Sequence, residues 1–282
     1  MILDGREVAA KSRTKTAEQI NKTGIKPVLA VVLVGTDPAS VLYTRLKHKA
    51  CKEAGIESLN YELSEKCGEA ELLAVIDELN EEKTVDGILV QLPLPQNIDS
   101  KKVLARIAPE KDVDGLSPAN LGSLVTGEES FVPCTPKGIL SLFKEYGIDV
   151  KGKRCVIVGD SVEVGKPLAI CLLNRSATVF ICNKHTPHLG QITREADVLV
   201  SATGVPSLIK AEMVKKRAVV VDVGISKVKG VLAGDVDFER VKEVASAISP
   251  VPGGVGPMTI AMLLENTLAA AENRRKCTGK GV

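Results

Sequence analysis

The sequence predicts an α/β protein of two domains: an N-terminal α/β domain with a parallel sheet, and a Rossmann-type doubly wound domain. Three observations carry that expectation. Short, nearly continuous aliphatic runs alternate with helical stretches, the pattern of buried parallel strands joined by crossover helices. Of 282 residues 44% are apolar but only 2% aromatic, so Val, Leu, Ile and Ala must fill the cores. The alternation also restarts after a glycine-bounded turn at residues 147–152, and the length gives room for two domains of ordinary size.

The elements follow in order. PVLAVVLVG (27–35) reads as a buried strand, and Asp37 with Pro38 supplies an N-cap and first-turn proline for a helix over 38–54. A short strand at 59–63, a helix over 69–82 and the apolar run DGILVQL (86–92) complete β-α-β-α-β, hence a parallel sheet. The turn-rich segment PEKDVDGLSPANLG (109–122) precedes a helix that Pro136 opens and that runs to 146. Strands of the second alternation are expected at 154–159, 177–182, 198–201 and 218–223. Near the end stands SPVPGGVGPMT (249–259), whose glycines permit close backbone approach to a ligand and whose prolines stiffen the loop. A last helix over 257–273 follows, and the tail 274–282 is expected to be flexible. The expected domains are residues 1–137, completed by helix 257–273, and residues 138–256.

Composition narrows the partners. The net charge of +2, with both signs interspersed, gives no electrostatic footprint for nucleic acid or an anionic membrane, which leaves small molecules. Seven cysteines, odd in number and without a CxxC pair, argue against a disulfide framework or structural zinc; the three histidines add no ligand spacing, so no metal is expected. A reducing cytoplasm fits this usage. The N-terminus lacks a secretory apolar core, and no apolar run is long enough to span a bilayer.

The dinucleotide signal is VGDSVEVGKP (158–167), between an expected strand and helix. The spacing is not GxGxxG: Gly159 can make the tight turn, Ser161 takes the usual second-glycine slot, and Gly165 arrives one residue late. An ordinary strand-to-helix turn is the alternative, and the repeated strands around it favour dinucleotide binding. After the second strand comes Cys182-Asn183-Lys184-His185, with no acid to claim a free ribose 2′-hydroxyl. Lys184 can pair with a 2′-phosphate, which favours NADP, whereas a carboxylate at Asp160 would repel it and keeps NAD open; a solvated loop lysine is the other reading of Lys184.

In the first domain Tyr43 and Lys47 stand four apart on one helix face, so an aromatic can stack on a flat heterocycle beside an amine that moves protons. A surface lysine beside a boundary tyrosine would look the same. Gln91 interrupts an apolar strand just before Pro93 and Pro95, either as a working amide or as one satisfied by strand-end backbone. In KDVDG, Asp114 can pair bidentately with a 2-aminopyrimidine-type edge, while Asp112 suits an Asx-turn.

Six segments, VGTDPASVLYTRLK, DGILVQLPLP, PEKDVDGL, FVPCTPKGI, VIVGDSVEVGKP and SPVPGGVGPMT, stand in the order and approximate spacing of the bifunctional methylenetetrahydrofolate dehydrogenase/methenyltetrahydrofolate cyclohydrolase (FolD) family, which the chain resembles across both domains. The resemblance implies oxidation of methylenetetrahydrofolate by hydride transfer to NADP, then hydrolysis of the methenyl cation, in a cytoplasmic homodimer with folate in the cleft between the domains. By position, Lys47 resembles the catalytic lysine, Tyr43 its aromatic partner over the folate ring, Gln91 its polar helper and Asp114 the pterin anchor, with Pro252, Gly253 and Gly254 in the wall beside the folate. Cofactor contacts are implied at Gly159, Asp160, Ser161, Val164, Gly165, Lys184, Thr203, Gly204 and Ile225. Two departures stand at the adenosine end: Gly159-Asp160-Ser161 where the family commonly has GRS, and Cys182-Asn183-Lys184-His185-Thr186 where it commonly has CHSxT. A monofunctional dehydrogenase of the same family, a shikimate-type two-domain dehydrogenase and a nucleotide-sensing module without turnover are the competing readings.

Overall fold

The computed structural model describes residues 1–228 and 230–277. The chain forms two compact units: Ala10–Cys134 with Ile260–Val282, and Met1–Ala9 with Thr135–Thr259.

The first of these follows α1 (Gly5–Thr23) with β1 (Val28–Val34), α2 (Pro38–Ala54), β2 (Glu57–Leu63), α3 (Glu69–Glu81), β3 (Gly87–Val90), α4 (Ser100–Arg106) and α5 (Pro118–Thr126). Its three strands pair in parallel in the order β2-β1-β3. Every residue of β1 is buried, as a central strand covered on both faces requires. Val28, Ala30, Val32 and Val34 point to one face and pack with Leu72, Ile76 and Leu79 of α3 and with Val103 and Leu104 of α4. Lys111, expected only as part of a loop, is buried and donates from Nζ to the carbonyls of Leu79, Asn80 and Glu82, satisfying the open C-terminus of α3.

The second unit runs through α6 (Cys134–Glu145), β4 (Arg154–Val158), α7 (Gly165–Asn174), β5 (Thr178–Cys182), α8 (Leu189–Thr193) and β6 (Val198–Ser201), with a single 3-10 turn at Ala211–Met213. It continues with β7 (Val219–Asp222), the hairpin β8 (Ser226–Val228) and β9 (Val231–Ala233), α9 (Phe238–Val241) and β10 (Ala247–Ile248); α10 (Val255–Cys277) follows, and its residues from Ile260 on belong to the first unit, as expected for the last helix. Its parallel sheet has the order β10-β7-β6-β4-β5, so the winding reverses between β4 and β6. In an open α/β sheet that reversal opens a crevice at the carboxyl ends of the strands, where ligands bind.

Several features differ from the sequence expectation, among them helix α5, whose first turns fall inside the segment read as turn-rich (109–122) because Ser117 caps it and Pro118 opens it, and the hairpin β8–β9. Helix α1 was not foreseen, because its buried stripe includes Ser12 and Thr16 beside Ile20 and so breaks the apolar period. The first residues belong to the second unit: the Leu3 amide donates to the Ile248 carbonyl and the Ile248 amide to that of Met1, extending the β10 edge. The last helix continues to Cys277 instead of ending at 273, with the Arg274 guanidinium on the buried Asp86 carboxylate at 2.6 Å. The remainder of the expected tail, 278–282, lies outside the described residues.

Candidate active site

Helix α2 presents the first cluster. Asp37 caps it by accepting from the Ser40 amide, Pro38 opens it, and Gly55 closes it in the left-handed region. Its inward stripe is Ser40, Thr44, Lys47 and Cys51, spaced four, three and four, so all lie on one face. Lys47 is only 9% exposed, and its Nζ donates to Gln91 Oε1 at 2.9 Å. Burial lowers the proton affinity of the amine, opposed by the charge of Asp114 and the neighbouring Cys134 and Cys51. Gln91, just past β3, donates from Nε2 to the Leu92 carbonyl, the strand-end satisfaction weighed from sequence, while its Oε1 accepts from Lys47. Tyr43, one turn before Lys47, is half-buried, and burial raises its phenol.

The loop that carries Asp114 is pinned from both sides. Asp112, 1% exposed, accepts from the amides of Gly115, Leu116 and Ser117 and from Asn120 Nδ2, the Asx-type turn expected for it. On α10, Asn266 Nδ2 donates to the carbonyls of Val113 and Val132. Gly115, at φ +74°, sits where a Cβ would lie 2.6 Å from the Phe131 carbonyl oxygen. Asp114 is thus half-buried on a rigid loop, within electrostatic reach of Lys47. An amine of lowered proton affinity, an amide, a phenol and a carboxylate on fixed elements can hold a flat polar heterocycle and shuttle a proton.

The second unit holds the other cluster at its winding reversal. Gly159 follows β4 at φ +118°, and a Cβ there would stand 2.3 Å from the Ala202 carbonyl oxygen beyond β6. A Cβ on Gly165, the first residue of α7, would stand 2.0 Å from the Gly159 carbonyl oxygen, so the late glycine allows the helix to close on the turn. Ser161 Oγ accepts from the Val164 amide. This cradle fits a dinucleotide phosphate, for bare backbone and the start of α7 meet at the switch point. Asp160 is engaged by Asn183 Nδ2 at 3.2 Å, and Lys184 is exposed next to that contact. Thr203 and Gly204 follow β6; Ile225 precedes β8, where Ser226 Oγ donates to the Gly204 carbonyl.

In the terminal loop the glycines have a local reason. A Cβ on Gly254 would meet Ser249 Cβ at 2.8 Å, and one on Gly5 would meet the Gly254 carbonyl oxygen at 1.7 Å. The Arg6 amide donates to the Gly253 carbonyl, so Gly253 and Gly254 admit the chain's own N-terminal segment. Pro252 follows a cis peptide bond.

Further side chains on the Lys47 stripe or bearing on its charge were not singled out from sequence. Ser40 Oγ and Thr44 Oγ1 are buried on the Lys47 stripe without a protein partner, and Cys134 bears on the charge of Lys47. The three-four spacing on α2 was the available signal for the hydroxyls; nothing local marks Cys134. Among the described residues no three His, Cys, Asp or Glu side chains gather as metal ligands, and no helix is long and apolar enough to cross a membrane.

Residues 3–114 match the family model described as tetrahydrofolate dehydrogenase/cyclohydrolase, catalytic domain, and residues 133–275 match the NAD(P)-binding domain of the same description. The chain is 55% identical over 279 residues to the bifunctional protein FolD of Aquifex aeolicus, spanning 97% of this chain and 96% of that one. It is similar to the crystal structure of the bifunctional enzyme FolD, a methylenetetrahydrofolate dehydrogenase/cyclohydrolase, from Campylobacter jejuni, with TM-score 0.95, 50% identity and coverage of 97% and 99%. The methylenetetrahydrofolate dehydrogenase-cyclohydrolase of Trypanosoma brucei, solved with NADP and an inhibitor, gives TM-score 0.93 at 37% identity over 100% and 99% of the two chains. Shikimate 5-dehydrogenase of Thermus thermophilus, at TM-score 0.55 and 18% identity over 88% and 99%, shares the fold alone.

Proposed function

The chain belongs to the tetrahydrofolate dehydrogenase/cyclohydrolase family, and from that premise we propose which of its residues carry the family's two reactions. It is a methylenetetrahydrofolate dehydrogenase and methenyltetrahydrofolate cyclohydrolase of one-carbon folate metabolism. NADP, when bound, takes the hydride that leaves the methylene carbon of the substrate, and the product is the nitrogen-stabilised methenyl cation. In the second reaction water adds at that carbon, a carbon–nitrogen bond opens, one proton is released and formyltetrahydrofolate results.

The observation that carries the residue assignment is the buried Lys47 amine held on Gln91 beside the Asp114 loop. Hydride removal chiefly needs two flat rings held in position, and Tyr43 with Asp114 supplies a stacking face and a bidentate acceptor for the pterin. Hydrolysis needs a group that takes a proton from water and returns one to a folate nitrogen. An amine whose proton affinity burial has lowered suits both directions of transfer, and Gln91 orients it. Pro252, Gly253 and Gly254 are also assigned to substrate binding in this reading, supported by the stiffness that the prolines give their loop.

Gly159, Ser161, Val164 and Gly165 hold the cofactor phosphates, while Thr203, Gly204 and Ile225 approach its other end. Lys184 pairs with the 2′-phosphate, favoured by the engagement of Asp160 with Asn183. The reading also includes a homodimer, supported by exposed Phe180 and Ile181 on edge strand β5 and Leu173 on α7, and a cytoplasmic setting, supported by six cysteines buried as thiols. An absorbance assay for methenyl formation tests the activity against a panel of hydroxy acids. Turnover of methylenetetrahydrofolate is expected; turnover of a shikimate-like acid alone would contradict it.

A further inference from the structure

Two buried carboxylates in the nucleotide unit take no part in the reactions above. Asp235, fully buried, stands beyond β9 in a segment that bridges to Ile209. Its Oδ2 accepts from the Thr203 amide at 2.6 Å and from Ser201 Oγ at 2.9 Å, so it grips the exit of β6 at the winding reversal. Its Oδ1 has no hydrogen-bond partner, and a Cβ on Gly224 would stand 1.9 Å from it.

Asp222, at the end of β7, accepts from the Asp235 amide on Oδ1 and from the Val236 amide on Oδ2, each at 2.9 Å. Its own amide donates to Ser249 Oγ, directly before the proline-glycine loop. A Cβ on Gly234 would stand 2.0 Å from Asp222 Oδ2. One chain of hydrogen bonds therefore runs from Ser249 through Asp222 to Asp235 and on to Thr203. Burying a carboxylate is costly, and a fold that only needed to close a loop could use a neutral side chain. Charge-assisted bonds are shorter and stronger than neutral ones and hold a backbone amide in a narrower geometry.

We propose that Asp235 is a positioning residue for NADP binding: its carboxylate fixes the Thr203–Gly204 backbone from inside the unit, and Asp222 fixes Asp235. This rests on the reading that Thr203 and Gly204 contact the cofactor, and the test separates the two. In Asp235→Ala the Thr203 amide loses its acceptor; the KM for NADP rises roughly tenfold or more while kcat at saturating NADP falls less than about threefold. Asp235→Asn keeps an acceptor oxygen without the charge and brings the KM part of the way back, to between those of Asp235→Ala and the parent. A merely structural role would lower the melting temperature without that split between KM and kcat.

Gly204→Asn is measured alongside, because Asn tolerates the left-handed φ of +70° and no atom lies within 4 Å of a Cβ there. A raised NADP KM in Gly204→Asn with an unchanged one in Asp235→Ala would overturn the proposal alone. An unchanged KM in Gly204→Asn would overturn the cofactor reading and the proposal with it. Should Asp235→Ala not fold, Ser201→Ala takes its place, with a rise of about threefold expected from the loss of one bond to the carboxylate and no rise counting against the proposal.

Discussion

Lys47 places an amine where charge is costly, and its proton affinity is lowered for that reason. The sign of the pH effect follows. If hydrolysis uses the neutral amine, cyclohydrolase turnover rises with pH along a limb centred below 10.5, the ordinary lysine value, and Lys47→Arg removes that limb because a guanidinium does not titrate there. A pH–rate profile of both proteins checks this. Asp114→Ala raises the folate KM roughly tenfold by losing a charged acceptor and leaves the NADP KM unchanged; steady-state kinetics with each substrate varied would expose the reverse pattern. Lys184→Ala weakens NADP but not NAD, and an equal loss for both in parallel titrations contradicts its pairing with the 2′-phosphate.

At the scale of elements, β1, α2 and β6 were legible because each carries an unambiguous local signal. An aliphatic run has one stable home between two layers of helices, and Asp37-Pro38 marks a helix start by capping chemistry. The Lys47–Gln91 contact was legible only as two separate oddities, since nothing in a one-dimensional pattern says that α2 lies over the end of β3. Hairpin β8–β9 escaped because its strands are three residues each and carry no period. The glycine turn yields a prediction at this scale. Gly165→Ala drives a methyl against the Gly159 carbonyl, so the NADP KM rises and the protein loses about 1–3 kcal/mol, read from kinetics and a denaturant melt. Asn266→Leu strips the donors from Val113 and Val132, costs about 1–3 kcal/mol and raises the folate KM through the Asp114 loop.

Across the whole molecule the two parallel sheets were readable from alternation and restart, but the assignment of the chain's ends was not. Residues 1–9 join the nucleotide unit through backbone bonds to β10, which no side-chain pattern encodes. The Arg274–Asp86 pair joins residues 188 apart and could not be inferred from a basic C-terminal run. Stability should carry a signature of the buried carboxylates. Burial first, and Asp235 beside it, pushes the Asp222 carboxyl up to about 7 from 3.8, so the folded state keeps a proton that the unfolded chain gives up. Its contribution is full below about 4 and is lost as pH rises through about 7. Asp86, raised by burial despite Arg274, acts with the same sign. Thermal melts of the full chain between pH 5 and 8 should therefore fall less steeply for Asp222→Asn than for the parent.

The central claim is that Lys47 moves the proton in hydrolysis, and the direct measurement is the rate of methenyltetrahydrofolate hydrolysis, corrected for the uncatalysed reaction, in Lys47→Met. Met keeps the length and apolar packing of the stem while removing the amine. A loss of roughly 100-fold or more in a protein that melts like the parent is the predicted result; hydrolysis at the parent rate would contradict the assignment.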